Sequence, residues 1–337
     1  MTVAPSTLVT IEDVRRAAAM LRGVAVRTPL LASESLQALS GTPVWLKPEM
    51  LQRAGAFKFR GGYTYLASMS PEARARGVIT ASSGNHGQAV ALAARMFGVP
   101  STIVMPTTVP AAKQRGAERL ATRCYYVGTT TAERIAKAEE LCAAEGLTYV
   151  PPFDDPTIIA AQGTVGLEIA EDLPRVGTVL VQVGGGGLSS GVAIAIKALA
   201  PNARVIGVEP ELAADAQASL AAGHIVRWEA EQVSRTIADG TRTQAIGRLN
   251  FAHLSTQLDR IVTVSEAEIA AGVRLAAEEA RLVIEPSGAL TVAAMRFHAR
   301  ELGLDPADGP IVGVVSGGNV DPDRYLEYLA APVPPEA

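Results

Sequence analysis

The chain has 337 residues, more than one hydrophobic core usually serves, which favours two domains or one doubly wound domain with an inserted subdomain. Its formal net charge of −4 and the lack of a basic patch exclude nucleic acid as a main partner, because neutralising phosphates requires a basic face. No apolar run approaches the roughly 20 residues that span a bilayer, and the N-terminus lacks the basic and apolar regions of a signal peptide. We therefore expect no membrane association and a cytoplasmic location, which also suits a chain with only two cysteines, Cys124 and Cys142.

Helix and strand patterns alternate along most of the chain. Thr10 and the following "IEDVRRAAAMLRG" predict a capped helix with Thr10 at the N-cap and Gly23 as its stop. From Val78, four short apolar strands alternate with three helices as far as "LTYVPP", which predicts a compact parallel unit of about 75 residues. A second parallel unit begins with the strands in "TVLVQVGGGG" and "RVIGVEP" and continues through "RIVTVS", a long helix from about Glu266 to Ala280, and "IVGVVSGGN".

These patterns predict an α/β protein with two open parallel-sheet domains. The composition, 48% hydrophobic but only 4% aromatic, is of the kind that parallel sheets use. We assign residues 1–76 and 153–337 to a large domain and residues 77–152 to a small inserted α/β domain. The arrangement predicts a ligand site in the cleft between them.

Four consecutive glycines, Gly184–Gly187, follow an apolar strand and precede Leu188 in a predicted helix. Their backbone N–H groups can converge on an anion at the helix N-terminus, and a phosphate is the expected guest. One alternative is a tight turn that needs glycine only for its dihedral angles. Another is a dinucleotide fold in which Glu209, at the end of the next strand, binds a ribose; the third glycine of that motif, however, falls on Ser189 or Ser190.

The segment "SSGNHGQA" also lies where a strand gives way to a helix. Ser82, Ser83, Asn85 and His86 offer hydroxyl, amide and imidazole groups beside free helix N–H donors, a set that can bind a carboxylate. Ordinary N-capping by serine or asparagine is the alternative. Near the C-terminus, "VVSGGNVD" repeats the order of strand, small polar residue and glycines, so Ser316 is expected to face the same crevice.

The segment "GAFKFRGG" places Lys58 between Phe57 and Phe59. A lysine in an apolar setting is costly unless it is paired, lowered in pKa or covalently used. The alternative is a lysine whose stem lies on an aromatic ring while its amine stays in water. A phosphate loop, a carboxylate loop and such a lysine together indicate a site for pyridoxal phosphate and an amino acid.

The motifs carry a resemblance to a known family. From about Ile11 to Leu329 the sequence resembles the fold type II, tryptophan-synthase-β-like pyridoxal-phosphate enzymes, within them the serine/threonine dehydratase, serine racemase and threo-3-hydroxyaspartate dehydratase group. The matching segments are "KPEMLQRAGAFKFRGG", "SSGNHGQA", "AAQGTVGLEI", "VGGGGLSSG", "TIADG", "IEPSGA" and "VSGGNVD".

The resemblance implies β-elimination of L-threonine or L-serine to a 2-oxo acid and ammonia. Dehydration of threo-3-hydroxyaspartate and serine racemisation remain alternatives within the family. An alternative from another class is a Rossmann-type nucleotide-binding protein without lyase activity. The resemblance also implies that the C-terminal regulatory domain of biosynthetic threonine dehydratases is absent, and a homodimer is expected.

The resemblance further implies a role for each matching residue. In the cofactor site, Lys58 would bind pyridoxal 5'-phosphate covalently and act as the base at Cα, Phe57 would pack against the ring, and Asn85 would bind the ring hydroxyl. The phosphate would be held by Gly184, Gly185, Gly186, Gly187 and Leu188, and the ring nitrogen would meet Ser316. Because serine carries no charge, this contact favours β-elimination over transamination.

On the substrate side, the resemblance implies that Ser83 donates a proton on the face of Cα opposite Lys58. The substrate carboxylate would be bound by Ser82, Ser83, Asn85 and His86, with Arg134 and Thr243 completing the substrate site. Arg134 rests on spacing alone, since a solvated helix arginine fits the same position. Arg242, beside Thr243, would meet a second substrate carboxylate in a hydroxyaspartate dehydratase; we expect it to point away from the ligand.

The segment "GVEPELAADA" implies a metal site by the same resemblance. Its ligands would be the carboxylates of Glu209 and Asp215 and the backbone carbonyl of Ala213. An all-oxygen set suits a hard cation, Mg²⁺ or Ca²⁺, with waters completing the shell. A pair of surface carboxylates on a loop is the alternative interpretation.

Overall fold

Two β-sheets organise the molecule. The computed structural model describes residues 8–82, 84–109 and 111–335. The larger sheet has six strands in the order β1-β2-β10-β7-β8-β9. They are β1 (Leu31–Ala32), β2 (Val44–Pro48), β7 (Thr178–Gln182), β8 (Arg204–Pro210), β9 (Arg260–Val264) and β10 (Ile311–Val315). All neighbouring strands run parallel except β1, which is antiparallel to β2.

The smaller sheet is formed by the middle of the sequence. Its four strands lie in the order β5-β4-β3-β6 and are all parallel. They are β3 (Val78–Ala81), β4 (Ser101–Met105), β5 (Arg123–Tyr126) and β6 (Thr148–Tyr149). The predicted fold class, two open parallel-sheet units, is therefore confirmed, while the domain boundaries at 76/77 and 152/153 stay a prediction.

Helices connect the strands and cover the sheets. The first seven helices are α1 (Ile11–Leu21), α2 (Glu34–Ser40), α3 (Lys58–Ser68), α4 (Pro71–Arg76), α5 (Asn85–Phe97), α6 (Ala111–Glu118) and α7 (Thr131–Glu145). They are followed by α8 (Pro156–Asp172), α9 (Gly187–Leu199), α10 (Asp215–Ala222), α11 (Ala230–Val233), α12 (Arg248–Gln257), α13 (Glu266–Ala280), α14 (Pro286–Phe297) and α15 (Pro322–Leu329). Within the described ranges, no helix has the length and apolar character required to cross a membrane.

The predicted N-terminal helix has the expected cap. Thr10 accepts a hydrogen bond from the backbone N–H of Asp13, and the Asp13 carboxylate accepts one from the N–H of Thr10. This reciprocal arrangement satisfies two N–H groups that would otherwise lack partners at the helix start. The helix ends at Leu21, and Gly23 follows with a positive φ of 72°.

The core lies on both faces of the larger sheet. Val179 and Val181 of β7 pack toward α8 and α9, whereas Leu180 between them packs toward α13 and α14. Alternation of this kind follows from the two-residue period of a strand, and burial on both faces explains the uninterrupted apolar run of Val179, Leu180 and Val181.

Helices α8 and α9 approach each other closely enough to exclude side chains. A Cβ at Gly191 would lie 2.4 Å from both the backbone nitrogen of Gly163 and the carbonyl oxygen of Ile159. Because all the obstructing atoms belong to the backbone, a side chain here would push α9 away from α8. Helix α9 begins in the predicted phosphate loop, so this contact fixes the position of that loop.

A buried ionic cluster, here called the Arg60 cluster, joins β2, α3 and α8. It consists of Lys47, Glu49, Arg60 and Glu168. The guanidinium of Arg60 donates to both carboxylates, at 2.8 Å from Nη2 to Glu49 Oε1 and 2.6 Å from Nη1 to Glu168 Oε1. Lys47 Nζ lies 2.6 Å from Glu168 Oε2. Two cations and two anions therefore neutralise one another at the start of α3, the helix that begins at Lys58.

Candidate active site

A cavity of about 380 Å³ opens at the carboxyl ends of β7 and β10 and faces the first turn of α5. Ligands bind at this edge in open parallel sheets. Each cofactor and substrate residue predicted from the sequence lines this one cavity wherever the structure describes it. These residues are Phe57, Lys58, Ser82, Asn85, His86, Arg134, Gly184, Gly185, Gly186, Gly187, Leu188, Thr243 and Ser316. The predicted residue Ser83 lies outside the described residues.

Lys58 is the first residue of α3 and projects into the cavity. Its Nζ donates to the carbonyl oxygen of Pro152 at 2.7 Å and lies 5.1 Å from the centre of the Phe57 ring. Removal from solvent lowers the pKa of this amine to about 8. The backbone N–H of Phe57 donates to the carbonyl of Ser316 at 3.0 Å, which holds the lysine against the end of β10. Lys58 is thus fixed in place and partly neutral near physiological pH.

The glycine loop has no room for side chains. A Cβ at Gly185 would lie 2.3 Å from the Phe153 ring, and one at Gly184 would lie 3.0 Å from the Cα of Thr241. Gly186 has a positive φ of 94°, which side-chain-bearing residues rarely adopt. The loop leads directly into α9, so its N–H groups and the helix dipole point to the same space. This cradle fits a phosphate group.

The carboxylate loop, which is the "SSGNHGQA" segment of the sequence, leads into α5. The hydroxyl of Ser82 accepts a hydrogen bond from the N–H of Gly84 at 3.3 Å. His86 Nε2 donates to the carbonyl oxygen of Val150 at 3.1 Å, so Nδ1 is the unprotonated nitrogen. Burial, assisted by the nearby charge of Lys58, lowers the pKa of His86 to about 3. His86 is therefore neutral and cannot supply a positive charge for a substrate carboxylate.

Three further polar residues line the cavity: Arg134, Arg242 and Thr243. Arg134, on α7, is partly buried there. Thr243 lines the cavity while its hydroxyl donates to Asp215 Oδ1 at 3.4 Å. The guanidinium of Arg242 donates from Nε to the carbonyl oxygen of Thr236 at 2.8 Å. Arg242 also lines the cavity, so its expected orientation away from the ligand stays a prediction.

The charged residues of the site that were not identified from the sequence include Lys113, Asp239 and Glu285. All three line the cavity, and Lys113 Nζ forms a close ion pair with Asp239 Oδ2. Glu285 is buried and accepts a hydrogen bond from Asn85 Nδ2 at 2.5 Å. Asp239 and Glu285 lie in the quoted segments "TIADG" and "IEPSGA", but only the folded chain brings them to the cavity.

The predicted metal ligands lie outside this cavity, at the end of β8. Both carboxylate oxygens of Glu209 accept backbone N–H groups, from Ala216 at 3.1 Å and Gln217 at 2.8 Å. Asp215 Oδ2 is buried and has no hydrogen-bond partner among the described residues. Burial raises the pKa of Asp215 to about 7, and burial together with the charge of Asp215 raises that of Glu209 well above its usual range.

Two buried carboxylates without a basic partner in the described ranges fit a hard divalent cation. Ala213, whose carbonyl was the third predicted ligand, is buried in the turn between them. In the part of the chain that the structure describes, no three His, Cys, Asp or Glu side chains group closely enough to hold a metal. A cation here would thus need backbone carbonyl and water ligands as well.

Comparison with protein families identifies the chain's relatives. The family model described as "Pyridoxal-phosphate dependent enzyme" matches residues 21–317. The chain belongs to this family. The resemblance noted in the sequence motifs is therefore confirmed. The phosphate cradle and Lys58 described above fit pyridoxal phosphate, the cofactor of this family.

Individual pyridoxal-phosphate dependent relatives match along almost the whole chain. An L-threonine ammonia-lyase of Thermotoga maritima is 42% identical over 314 residues, 93% of this chain and 76% of that protein. An L-threo-3-hydroxyaspartate ammonia-lyase of a Pseudomonas species is 38% identical over 322 residues, 94% of this chain and 97% of that protein. The structure of maize serine racemase has a TM-score of 0.89 at 34% identity and covers 95% of this chain and 96% of that one.

The structure does not support the alternative of a Rossmann-type nucleotide-binding protein. Glu209, the residue that would bind a ribose, does not line the cavity and uses both carboxylate oxygens on the backbone of α10. The residues of the cavity instead fit the cofactor of the pyridoxal-phosphate dependent enzymes. A fixed lysine amine, a side-chain-free phosphate cradle and the hydroxyl of Ser316 line the same space.

Proposed function

We propose that the chain converts L-threonine and L-serine to the corresponding 2-oxo acid and ammonia by β-elimination. The observation that carries the proposal is the shared cavity of Lys58, the glycine loop and the first turn of α5. Curated relatives named L-threonine ammonia-lyase support the reaction class, among them the Thermotoga maritima protein at 42% identity.

Bound pyridoxal phosphate withdraws electrons from the amino acid and thereby acidifies the Cα–H bond. Residues of the chain take part in the remaining steps. Lys58, held near the Pro152 carbonyl with a pKa of about 8, takes the Cα proton. Transfer of that proton to the departing Cβ hydroxyl releases water and leaves an enamine, which tautomerises and is hydrolysed to the 2-oxo acid and ammonia. Ser316, which would face the ring nitrogen of the cofactor, carries no charge and would stabilise a protonated nitrogen less than a carboxylate would; this would favour departure of the Cβ hydroxyl.

The charges around the cavity favour a substrate with a neutral side chain. Arg242 donates to the carbonyl of Thr236, and Lys113 is paired with Asp239. A second substrate carboxylate that relied on either of these cations would have to displace its present partner, and a carboxylate that met no cation would lose its hydration without compensation, which costs several kcal/mol. By contrast, the extra methyl of threonine changes the preference by about 1–3 kcal/mol, so threonine and serine should react within roughly 10- to 200-fold of each other.

Threo-3-hydroxyaspartate is the second candidate substrate. The observation that favours it is the number of cationic residues lining the cavity, namely Lys113, Arg134, Arg227 and Arg242. The Pseudomonas relative carries this activity in its name. Serine racemisation would require a proton donor on the far face of Cα, for which Ser83 stays the prediction.

The test is a comparison of kcat/KM for L-threonine, L-serine and L-threo-3-hydroxyaspartate in the wild type and the Arg242→Ala variant. We expect threonine or serine to be preferred and the order to be unchanged in the variant. A wild type that prefers hydroxyaspartate at least tenfold, with the preference lost in Arg242→Ala, would replace the first candidate by the second. Lys58→Ala should abolish turnover on every substrate.

We also propose that Mg²⁺ or Ca²⁺ binds at Glu209, Asp215 and the Ala213 carbonyl. The buried, unpartnered Oδ2 of Asp215 supports this site. The cation would hold α10 and, through Thr243, one wall of the cavity, since Thr243 donates to Asp215. The cytoplasmic location and the homodimer stay predictions.

A further inference from the structure

The side-chain amide of Asn85 is held at both of its polar atoms. Its Nδ2 donates to Glu285 Oε1 at 2.5 Å, and its Oδ1 accepts from Asn319 Nδ2 at 2.9 Å. Asn319 Nδ2 also donates to the carbonyl oxygen of Ala54 at 2.7 Å, four residues before Lys58. The bonds therefore form a chain that runs from the turn before Lys58 through Asn85 to Glu285.

This chain reaches a strained part of the backbone. Ala54 has a positive φ of 58°, a left-handed conformation that residues with a Cβ seldom adopt. The bond from Asn319 is one of the contacts that hold it. The position of Asn85 is thus coupled through Asn319 to the turn that delivers Lys58 to the cavity.

Glu285 closes the other end of the chain and lies inside the protein. It is 1% exposed, and its second oxygen, Oε2, is buried without a hydrogen-bond partner among the described residues. A Cβ at Gly317 would lie 2.5 Å from Glu285 Oε1 and 3.1 Å from Asn85 Nδ2, so glycine at 317 leaves room for this contact. An unpartnered carboxylate oxygen is costly to bury, so the position of Glu285 calls for a physical explanation.

The chemistry of the two side chains fixes their orientation. The Ala54 carbonyl can only accept hydrogen bonds, so the Asn319 atom that faces it must be the NH₂ group. That group also donates to Asn85, so the Asn85 atom it meets is the oxygen and the atom that faces Glu285 is the NH₂ group. With both ends specified, Asn85 has one N–H and one lone pair left for a ligand in the cavity.

We propose that Glu285 is a positioning residue that fixes the amide of Asn85, so that Asn85 presents a single, defined N–H to the cofactor. The inference rests on the proposed role of Asn85 in binding the cofactor. Without Glu285 the amide would rotate or flip, and its contact with the cofactor would be made only part of the time. Affinity for pyridoxal phosphate would fall although no atom of the cofactor contact itself had been removed.

The test uses two substitutions at Glu285 that differ in hydrogen-bonding ability. Glu285→Ala removes the acceptor, whereas Glu285→Gln keeps an oxygen that accepts from Asn85 Nδ2 and removes the charge. Burial raises the pKa of the Glu285 carboxyl, against the opposing charge of Lys113. The hydrogen bond from Asn85 needs only an accepting oxygen, which glutamine also carries, so the glutamine variant tests the hydrogen bond apart from the charge.

The measured quantity is the dissociation constant of pyridoxal phosphate, obtained by titrating the full chain and following the visible absorbance. We expect Glu285→Ala to weaken binding about tenfold, the effect of losing one well-made hydrogen bond, and Glu285→Gln to stay within about threefold of the wild type. Glu268→Ala is the matched control, because Glu268 is a partly buried carboxylate at the start of α13 that does not line the cavity.

A double-mutant cycle with Asn85→Ala separates positioning from a general structural role. If Glu285 acts through Asn85, Glu285→Ala should add little further loss of affinity in the Asn85→Ala background. Additive losses, equal losses in the alanine and glutamine variants, or wild-type affinity in Glu285→Ala would each overturn the inference. Wild-type affinity in Asn85→Ala would instead overturn the proposed cofactor role of Asn85 itself, so the two failures are distinguishable.

Discussion

Lys113 on α6 forms an ion pair with Asp239, which lies between β8 and β9 of the larger sheet. The lysine side chain is 12% exposed and the aspartate 30%, and both line the cavity. The Lys113 amine also lies 3.8 Å from the position that a Cβ at Gly84 would occupy, beside the carboxylate loop. The pair therefore links the small sheet's helices to the opposite wall of the active site.

Reversing one charge of this pair should impair catalysis, and reversing both should restore part of it. We expect Lys113→Asp and Asp239→Lys each to lower kcat/KM, because two like charges then face each other across the cavity. The double variant should recover a coupling energy of about 1 kcal/mol. Lys137→Asp, which changes a surface lysine of α7, serves as the control. Additive losses in the double variant would show that the two residues act independently.

The pKa of Lys58 predicts how cofactor loading depends on pH. Only the neutral amine can attack the cofactor aldehyde, and burial lowers the pKa of this amine to about 8. The rate of cofactor loading into the cofactor-free protein should therefore rise with pH from 6 and level off above about pH 8. For a lysine with an ordinary pKa of about 10.4, the rate would level off only above that pH. Stopped-flow absorbance measures the rate. A rate that keeps rising tenfold per pH unit up to pH 10 would contradict the lowered pKa.

Removal of Arg60 should destabilise the fold strongly. It would leave Glu49 and Glu168 without their main countercharge, and breaking a buried pair in this way costs about 3–5 kcal/mol. Arg60→Ala should show this loss in urea unfolding at neutral pH. Arg324→Ala, which breaks an exposed pair with Glu327, should change little. A similar small change for both variants would mean that the buried pairs barely exceed their desolvation cost.

The Arg60 cluster should also make stability depend on acid. Burial opposes ionisation of Glu49, but Arg60, Lys47 and the hydrogen bond from Thr28 together outweigh burial and hold the pKa of Glu49 below its usual range. A carboxylate with a lowered folded-state pKa stabilises fully above its unfolded pKa of about 4.3 and loses that contribution as pH falls through the folded value. The free energy of unfolding should thus fall below about pH 4, and less steeply in Glu49→Gln. Parallel pH profiles would contradict this.

A chelator should lower the melting temperature if Glu209 and Asp215 bind a cation. Binding to the folded state alone stabilises by about 2.7 kcal/mol at a hundredfold excess over the dissociation constant. Differential scanning calorimetry with EDTA, then with Mg²⁺ or Ca²⁺ restored, measures the effect. Asp215→Ala should melt alike with and without chelator. Identical curves for the wild type would argue against the site.

Local patterns were sufficient to predict much of the fold. The helix expected from about Glu266 to Ala280 has those bounds in the structure, because its capping box and apolar spacing are local features. The strand Val44–Pro48 was not anticipated, and neither was the antiparallel strand beside it. Val44–Pro48 pairs with the distant strand Ile311–Val315, and the antiparallel strand has only two residues, so no local pattern specifies either.

Local patterns also identified some residues of the candidate site but not others. Residues carried by glycine-rich or lysine-containing motifs, such as Lys58 and Asn85, were found from the sequence and line the cavity. Glu285 and Asp239 were not identified from the sequence. Each is recognised as a site residue by the side chain it contacts, which is 200 residues away for Glu285 and 126 residues away for Asp239. A single sequence contains no signal for such pairs.

The position of β10 between β2 and β7 has a consequence for how the protein is made. Strand β2 can join the sheet only through β10, since Val44 pairs with Ile311 and Pro48 with Val315. A ribosome makes β2 long before β10, and such long-range parallel pairing is slow. The turn that leads into Lys58 is hydrogen-bonded to Ser316, directly after β10. A nascent chain therefore cannot fix its reactive lysine in place until β10 has been synthesised, and the cofactor pocket forms only after that strand has emerged.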